Sequence, residues 1–510
     1  MRHLVVVSDL HLWQATDHDD LWMRYRDRRF LPDAQLASML DGLCKRIPSG
    51  QLTLVLNGDT FDFDLPPVTD GHTVQGRSPR TEDQAVDRLD AILRDHEDFL
   101  QSLAALLLRG HRVVFIAGNH DIQLNFPRVR QLLFGQIVQR CMQMESDCEE
   151  SALRSRLAFH PWFYRSPSGV HVEHGNQYDL YCSVSDPLWP FRLDRSLQSN
   201  VGTLVLEHLI GKLGYFNPNV EKTFLLTTKE YLTHWQRYYF RKPRSLLQTF
   251  FVGAWRIFFE LWGELGLVGR TIRTPALQAP DTAAHYSLFA TADLRATMRL
   301  LRLDRLLLVV GVLWSALALL VFYPLGIACV LLTMLLYEVL QPRCSYALDD
   351  VAQDVAKTAR RIAALYGCKA VVFGHTHDAA GSWEHGVFYG NSGTWVPRYH
   401  DVACSVALEE SRPFIWLREA GGALEGGLYR YRSGAIQQVT ASCADHITES
   451  EDLAATDGAA IPDASATKLA TSAGCERSTR CAADLALASH DDALGLSQSV
   501  THRNRYSFPS

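Results

Sequence analysis

The sequence predicts an α/β fold, and three observations carry that reading. Short apolar runs alternate with longer stretches whose leucines recur at three- and four-residue steps. Each apolar run empties into a loop built from Gly, Asp, Asn and His. The last two of these loops are separated by roughly 200 residues, far too many for a connecting loop, so a module is inserted between two parts of one domain.

In chain order, residues 3–7 read as a buried strand, 33–47 as a helix, 52–56 as a second strand, 85–108 as one long helix and 112–116 as a third strand. The long helix rests on Val86, Leu89, Leu93, Leu100, Leu103 and Leu107, which make one apolar face, and Gly110 stops it. The strands deliver Ser8-Asp9-Leu10-His11, then Gly58-Asp59, then Gly118-Asn119-His120-Asp121. A fourth strand, 170–173, delivers His174-Gly175, and a fifth, 369–373, delivers Gly374-His375-Thr376-His377. Ligands gather at the carboxyl ends of strands in α/β sheets, so these five loops are expected on one rim. The domain expectation is therefore 1–185 and 365–440 for the two parts of the α/β domain, 186–364 for a helical insertion and 441–510 for a tail. The tail is rich in Ala, Ser, Thr and Asp without periodicity and reads as disordered.

The insertion carries two unusual stretches. Thr249–Gly269 mixes Phe, Trp and Leu with Arg256, Glu260 and Glu264, which suits an amphipathic interfacial helix or one buried against the α/β domain. Leu306–Tyr337 carries no formal charge. As one helix it would measure roughly 48 Å, beyond a hydrocarbon core of roughly 30 Å, and Tyr323-Pro324-Leu325-Gly326 offers a break near its middle. His174 and His375 can serve one site only from the same side of a membrane. Two crossings, or a re-entrant or shallow hairpin, satisfy that condition, and an oligomerisation hairpin in a soluble protein is the bland alternative. Arg295, Arg299, Arg302 and Arg305 before the stretch and Arg343 after it place both ends, and with them the catalytic domain, in the cytoplasm.

Composition narrows the function. The chain has 510 residues, 50 Lys+Arg against 56 Asp+Glu, and a net charge of −6, so nothing points to nucleic acid. Its 11 cysteines are scattered and odd in number, which favours free thiols in a reducing compartment over a disulfide framework. The run MRHLVVVSDLHLW is too short for a secretory signal.

The acids and histidines of the five loops suit a two-metal site with oxygen and nitrogen ligands. Asp9 and His11, two apart on a locally extended loop, can grip one ion. Asp59 has two carboxylate oxygens and is the natural bridge, Asn119 offers an amide oxygen, and His174, His375 and His377 complete the shells. Hard oxygen donors with imidazole and no cysteine favour Mn²⁺, Fe or Zn²⁺. Two cations roughly 3.5–4 Å apart would lower the pKa of a shared water and orient a phosphoryl oxygen, which makes a phosphorus ester the substrate class. His120 can protonate the departing oxygen, with Asp121 fixing its orientation. Asp62 either joins the rim or hydrogen-bonds local backbone. His171 alternates onto the strand face away from His174, Asn176–Asp179 read as a solvated loop or a pocket lining, and Arg77 and Arg80 as a phosphate binder or a flexible linker.

The blocks SDLHL (8–12), NGDTFDF (57–63), GNHD (118–121), EHG (173–175) and GHTH (374–377) resemble the calcineurin-like metallophosphoesterases, in family order, over about residues 1–185 and 365–400. That resemblance implies a four-layer α/β/β/α sandwich with a dinuclear site at one edge. By motif, Asp9, His11, Asp59 and His377 would bind the first ion, and Asp59, Asn119, His174 and His375 the second, with His120 the catalytic histidine. The chain also resembles the UDP-2,3-diacylglucosamine hydrolases, which act on a membrane lipid and carry a helical insertion, although that group has arginine where this chain has His120. The expectation is a membrane-associated phosphoesterase acting on a monoester, diester or pyrophosphate. A lipid pyrophosphatase and a non-catalytic membrane scaffold are its alternatives.

Overall fold

The structure is a computed structural model that describes residues 2–17, 23–74, 76–210, 252–261, 284–288, 303–321, 323–340, 348–399, 404–405, 407 and 411–439. The tail expectation for 441–510 lies outside the described residues, as does the segment 211–251 of the insertion.

The fold is mixed α/β. Strands β1 (Arg2–Val7), β2 (Leu52–Asn57), a small hairpin of β3 (Val68–Thr69) and β4 (His72–Thr73), β5 (Arg112–Ile116), β6 (Leu157–His160), β7 (Phe163–Arg165) and β8 (Val170–Glu173) precede the insertion. After it come β9 (Ala370–Phe373), β10 (Ala380–Glu384), β11 (Val387–Asn391), β12 (Arg412–Ala420), β13 (Ala423–Arg432) and β14 (Ala435–Gln438). One sheet has the order β14-β13-β12-β1-β2-β5-β6, parallel from β1 to β6, and the other the order β10-β11-β9-β8-β7, parallel from β11 to β8.

Strand periodicity sorts the side chains into layers. Val5, Val7, Leu54, Leu56, Val113 and Phe115 face helices α1 (Asp33–Arg46), α2 (Glu82–Leu93), α3 (Glu97–Leu108) and α4 (Pro127–Met144). Their neighbours Leu4, Val6, Val55, Val114 and Ile116 face Val170, Val172, Ala370 and Val372 of the second sheet. On that sheet's far side, Val371 and Phe373 meet Val351, Val355, Ala359 and Ile362 of the helix Leu348–Tyr366. Strands buried on both faces read as unbroken apolar runs, which is why these five were visible in the sequence.

Two expectations need correction. The helix expected over 85–108 is two, because its joint carries side chains with better partners than a helix offers. Asp95 accepts the Ala15 N–H at 2.8 Å and pairs with Arg28 at 2.8 Å. His96, at φ −121° and ψ 48°, sends Nδ1 to Asp33 at 2.8 Å and Nε2 to the Trp13 carbonyl at 2.9 Å.

The second concerns the uncharged stretch. It forms an antiparallel pair of helices, Leu303–Val321 and Tyr323–Leu340, clipped by Ser315 Oγ to Thr333 Oγ1 at 3.1 Å. The second helix begins at Tyr323, so Pro324 sits in its first turn, where a missing N–H costs nothing. The expected bilayer crossing is not found: among the described residues no helix is long and apolar enough to cross a membrane. Helices of 19 and 18 residues reach roughly 27–29 Å, just under a hydrocarbon core of about 30 Å.

Candidate metal centre

All five strand-end loops meet at one rim, and a sixth, after β11, closes it. Backbone hydrogen bonds strap them together: Asp9 N–H to Gly58 O at 3.2 Å, His11 N–H to Asp59 O at 2.8 Å and Trp395 N–H to Asp9 O at 3.1 Å. Thr394 Oγ1 adds a bond to Asp9 O at 2.9 Å, and Asn391 Nδ2 donates to Gly374 O at 2.7 Å. Asn391 and Thr394 carried no sequence signal, because hydroxyl and amide side chains at a turn are ordinary.

The loops do not run extended, as the Asp9/His11 spacing suggested. Asp9, His11, Asp59, His375 and His377 all have positive φ, between 44° and 67°. Left-handed backbone costs a non-glycine residue of order 1–3 kcal/mol and persists where its surroundings impose it, most often at functional sites. Two glycines make the close approach possible. A Cβ on Gly58 would collide with the His174 ring, and one on Gly118 with Asp59 Oδ1.

The seven expected ligands form two overlapping groups. In the first, His377 Nε2 lies 3.1 Å from Asp9 Oδ1 and 3.2 Å from His11 Nε2. In the second, His174 Nε2 lies 3.1 Å from Asp59 Oδ2 and 3.2 Å from Asn119 Oδ1, with the His375 ring 5.3 Å from that of His174 between centroids. Asp59 Oδ2 is also 3.8 Å from His11 Nε2, so this carboxylate stands between the groups. His174 Nδ1 donates to the Asn57 carbonyl at 2.9 Å and His11 Nδ1 to Asp62 at 3.3 Å, which turns both Nε2 atoms inward.

Electrostatics fit a cation. Asp9, Asp59 and Asp62 are buried with imidazoles as their charged partners. Burial opposes ionisation of Asp9, but the nearby His377 and His174 rings outweigh it and hold the carboxyl well below the usual range. Asp9 Oδ1 is buried and accepts no well-aligned hydrogen bond, although His377 Nε2 stands 3.1 Å away, an arrangement open to a cation. Burial likewise opposes charge on the rings, yet Asp62 and Asp9 lift His11 to about 9, and Asp59 and Asp9 lift His174 to about 9. The donor set of carboxylate, amide and imidazole could hold metal ions.

Beside the ligands stands His120, with the partner expected for it corrected. Asp121 does not touch its ring. Its carboxylate turns back to accept the N–H groups of Gly118 at 2.7 Å, Thr60 at 2.8 Å and Asp59 at 3.3 Å, fixing the loop that carries Asp59. Burial and the Asp59 carboxylate push Asp121 up to about 7. Asp62 takes the orienting role, accepting from His120 Nδ1 at 3.2 Å through one oxygen and from His11 Nδ1 at 3.3 Å through the other. Burial disfavours charge on His120, but Asp62 and Asp59 outweigh it and hold the ring well above the ordinary imidazole range.

Other sequence candidates separate cleanly. His375 Nε2 meets Asp179 at 3.0 Å, so the Asn176–Asp179 segment is a buried support rather than a solvated loop. His171, on the opposite face from His174 as expected, meets Glu173 at 3.1 Å. Glu173 also receives Trp162 Nε1 at 2.6 Å and stands 3.3 Å from His285 of the insertion. Arg80 pairs with Glu207 and Glu260 rather than standing ready for a phosphate, while Arg77 is exposed.

Compared with protein-family models and with curated proteins, the chain matches none. Among solved structures it aligns with a double mutant of Vps29 from Entamoeba histolytica at 17% identity and a TM-score of 0.13, covering 17% of this chain and 43% of that one, less than half its length. It aligns with a phosphopantetheinyl hydrolase from Mycobacterium tuberculosis at 13% identity and a TM-score of 0.21, covering 77% of this chain and 90% of that one. At these scores neither likeness assigns a function, and the reading of the site rests on its own geometry.

Proposed function

We propose that the chain is a metal-dependent phosphoric ester hydrolase of the calcineurin-like metallophosphoesterase type, built on that family's four-layer sandwich and working at a membrane surface from the cytoplasmic side. One observation carries the reading: seven ligand-type residues from five separate loops converge into two groups that share Asp59, with a raised-pKa histidine alongside.

Two bound divalent cations would supply Lewis acidity toward a phosphoryl oxygen and a water molecule. The residues supply the rest. Asp9, His11, Asp59 and His377 would hold one ion, and Asp59, Asn119, His174 and His375 the other. Asp62 clamps Nδ1 of His120, which leaves Nε2 as the nitrogen available to protonate the departing oxygen of a phosphomonoester, diester or pyrophosphate. A histidine kept protonated at neutral pH suits that acid role.

The exposed apolar hairpin favours a lipid or membrane-bound ester over a soluble one. Leu313, Trp314, Leu320 and Leu332 are between 64% and 85% exposed on it. A UDP-2,3-diacylglucosamine-type lipid pyrophosphatase is the specific form of that reading. The reading predicts phosphate or nucleotide release by purified protein with Mn²⁺ from at least one of a monoester, a diester, a UDP-sugar lipid and a phospholipid. Asp59→Asn should abolish that release and lower the bound metal from two equivalents, counted by mass spectrometry. Turnover highest on the UDP-sugar lipid supports the pyrophosphatase form. Two tightly bound metals with no turnover of any ester would replace the enzyme reading with a scaffold.

A further inference from the structure

Behind His120 the insertion reaches into the site. Asp64, 5% exposed, lies beside Asp62, and its Oδ2 is 3.5 Å from the same His120 Nδ1 that Asp62 holds at 3.2 Å. Two carboxylates therefore compete for one N–H. The contest is settled by hydroxyls: Ser78 Oγ donates to Asp64 Oδ1 at 2.6 Å and Thr203 Oγ1 to Asp64 Oδ2 at 2.7 Å. Thr203 belongs to the insertion, in the helix Val201–Val205, where its own N–H caps onto Asn200 Oδ1 at 2.8 Å. With Thr203 on Oδ2, that oxygen has a donor and His120 stays on Asp62. Without it, Oδ2 would be a buried acceptor whose nearest donor is the histidine, and leaving it unmatched is costly.

We propose that Thr203 is a positioning residue: its hydroxyl satisfies Asp64 so that His120 keeps its Asp62 partner and presents Nε2 toward the metal groups. The insertion thereby completes the acid arm of the site. One turn further on, Glu207 accepts Ser78 N–H at 2.8 Å and pairs with Arg80 at 3.2 Å, and Arg80 pairs with Glu260 of the helix 252–261 at 3.1 Å. Ser78 and Thr203, the two donors to Asp64, are thus both set by insertion contacts.

The role in turnover rests on the hydrolase reading, whereas the positioning of the ring does not, and the test separates them. The first readout is the ¹⁵N chemical shift of His120 Nδ1 in histidine-labelled full-length protein, assigned with His120→Gln. Thr203→Val should move it and Thr203→Ser should restore it. Thr203→Ala, which removes the same hydroxyl, should move it as well and serves if the valine variant does not fold, while adding Asp64→Asn to either variant removes the competing carboxylate and should return the shift toward its original value. The second readout is hydrolysis: Thr203→Val should lower kcat roughly tenfold for esters with poor leaving groups, the scale of losses on cutting a supporting hydrogen bond. KM and the count of two metals should stay unchanged, and Thr203→Ser should recover kcat. A ¹⁵N shift unchanged in both Thr203→Val and Thr203→Ala overturns the proposal whatever the activity. A shift that moves in a protein inert toward every ester keeps the positioning and removes the hydrolase reading.

Discussion

Most of the candidate ligand residues set backbone strain against electrostatic need. Five of them hold positive φ, and the buried carboxylates Asp9 and Asp59 have only imidazoles to balance them. In the metal-free protein the carboxylates Asp62, Asp9 and Asp59 lift His11 and His174 to about 9, so both rings carry protons near neutral pH, whereas burial keeps His377 below the ordinary imidazole range. A cation must displace the protons on His11 and His174, so metal binding releases protons. Apparent affinity should therefore rise as pH increases from 7 toward 9 and flatten above it. Calorimetry in two buffers of different ionisation enthalpy measures the protons released; zero release at pH 7.5 would mean the rings are already neutral. For His120→Ala the expected outcome is two ions retained with turnover reduced most for poor leaving groups. Equal loss for good and poor leaving groups would remove the general-acid role. The convergence of the candidate ligands on one rim was legible in the sequence because Asp, Asn and His directly after apolar runs are conspicuous. Asp64 and Thr203 were not, since an acid in a polar loop and a threonine some 140 residues later announce nothing until the fold brings them to 2.7 Å.

At the scale of elements, strands were more legible than helices. A strand buried on both faces leaves a run of β-branched and aliphatic residues with a sharp polar end, and β5 and β8 fall where those runs lie. The joint at residues 94–96 was hidden because leucine spacing continues in phase across it, and only the tertiary partners of Asp95 and His96 break the helix. This joint holds α1 to α3: His96 is fully buried between the Asp33 carboxylate and the Trp13 carbonyl, directly after the ligand loop of β1. His96→Leu fills a similar volume but leaves both acceptors unmatched in the interior. A loss of about 2–4 kcal/mol is expected, two acceptors at roughly 1–3 kcal/mol each partly offset by the apolar side chain. Urea unfolding should show a lower midpoint at unchanged slope. A change below about 0.5 kcal/mol would mean that water replaces the imidazole.

Over the whole molecule, the polar contacts that join the described part of the insertion to the α/β domain include Thr203 on Asp64, Glu207 on Ser78 and Arg80, and His285 among Glu173, Tyr178 at 2.8 Å and Tyr366 at 3.0 Å. After His285 the chain sends out the apolar hairpin, whose outward residues include Val309, Leu317, Val321, Leu331 and Met334, each more than half exposed. A contiguous apolar surface of this kind marks an interaction site, and an exposed Leu or Val is worth roughly 1.5–3 kcal/mol when buried. Each helix is shorter than a full crossing, and the pair returns the chain to its starting side. Replacing 306–337 by a flexible Gly/Ser linker should therefore separate two properties that the wild-type chain combines. Flotation with phosphatidylcholine/phosphatidylglycerol vesicles should fall at least tenfold, while the two-metal content and turnover of a soluble ester stay within about twofold, because the chain on either side of the linker stays docked, at His285 before it and through the helix Leu348–Tyr366 after it. Undiminished flotation would move the membrane contact elsewhere on the insertion. A shift from dimer to monomer in detergent-free solution, with no change in flotation, would make the hairpin a self-association element instead.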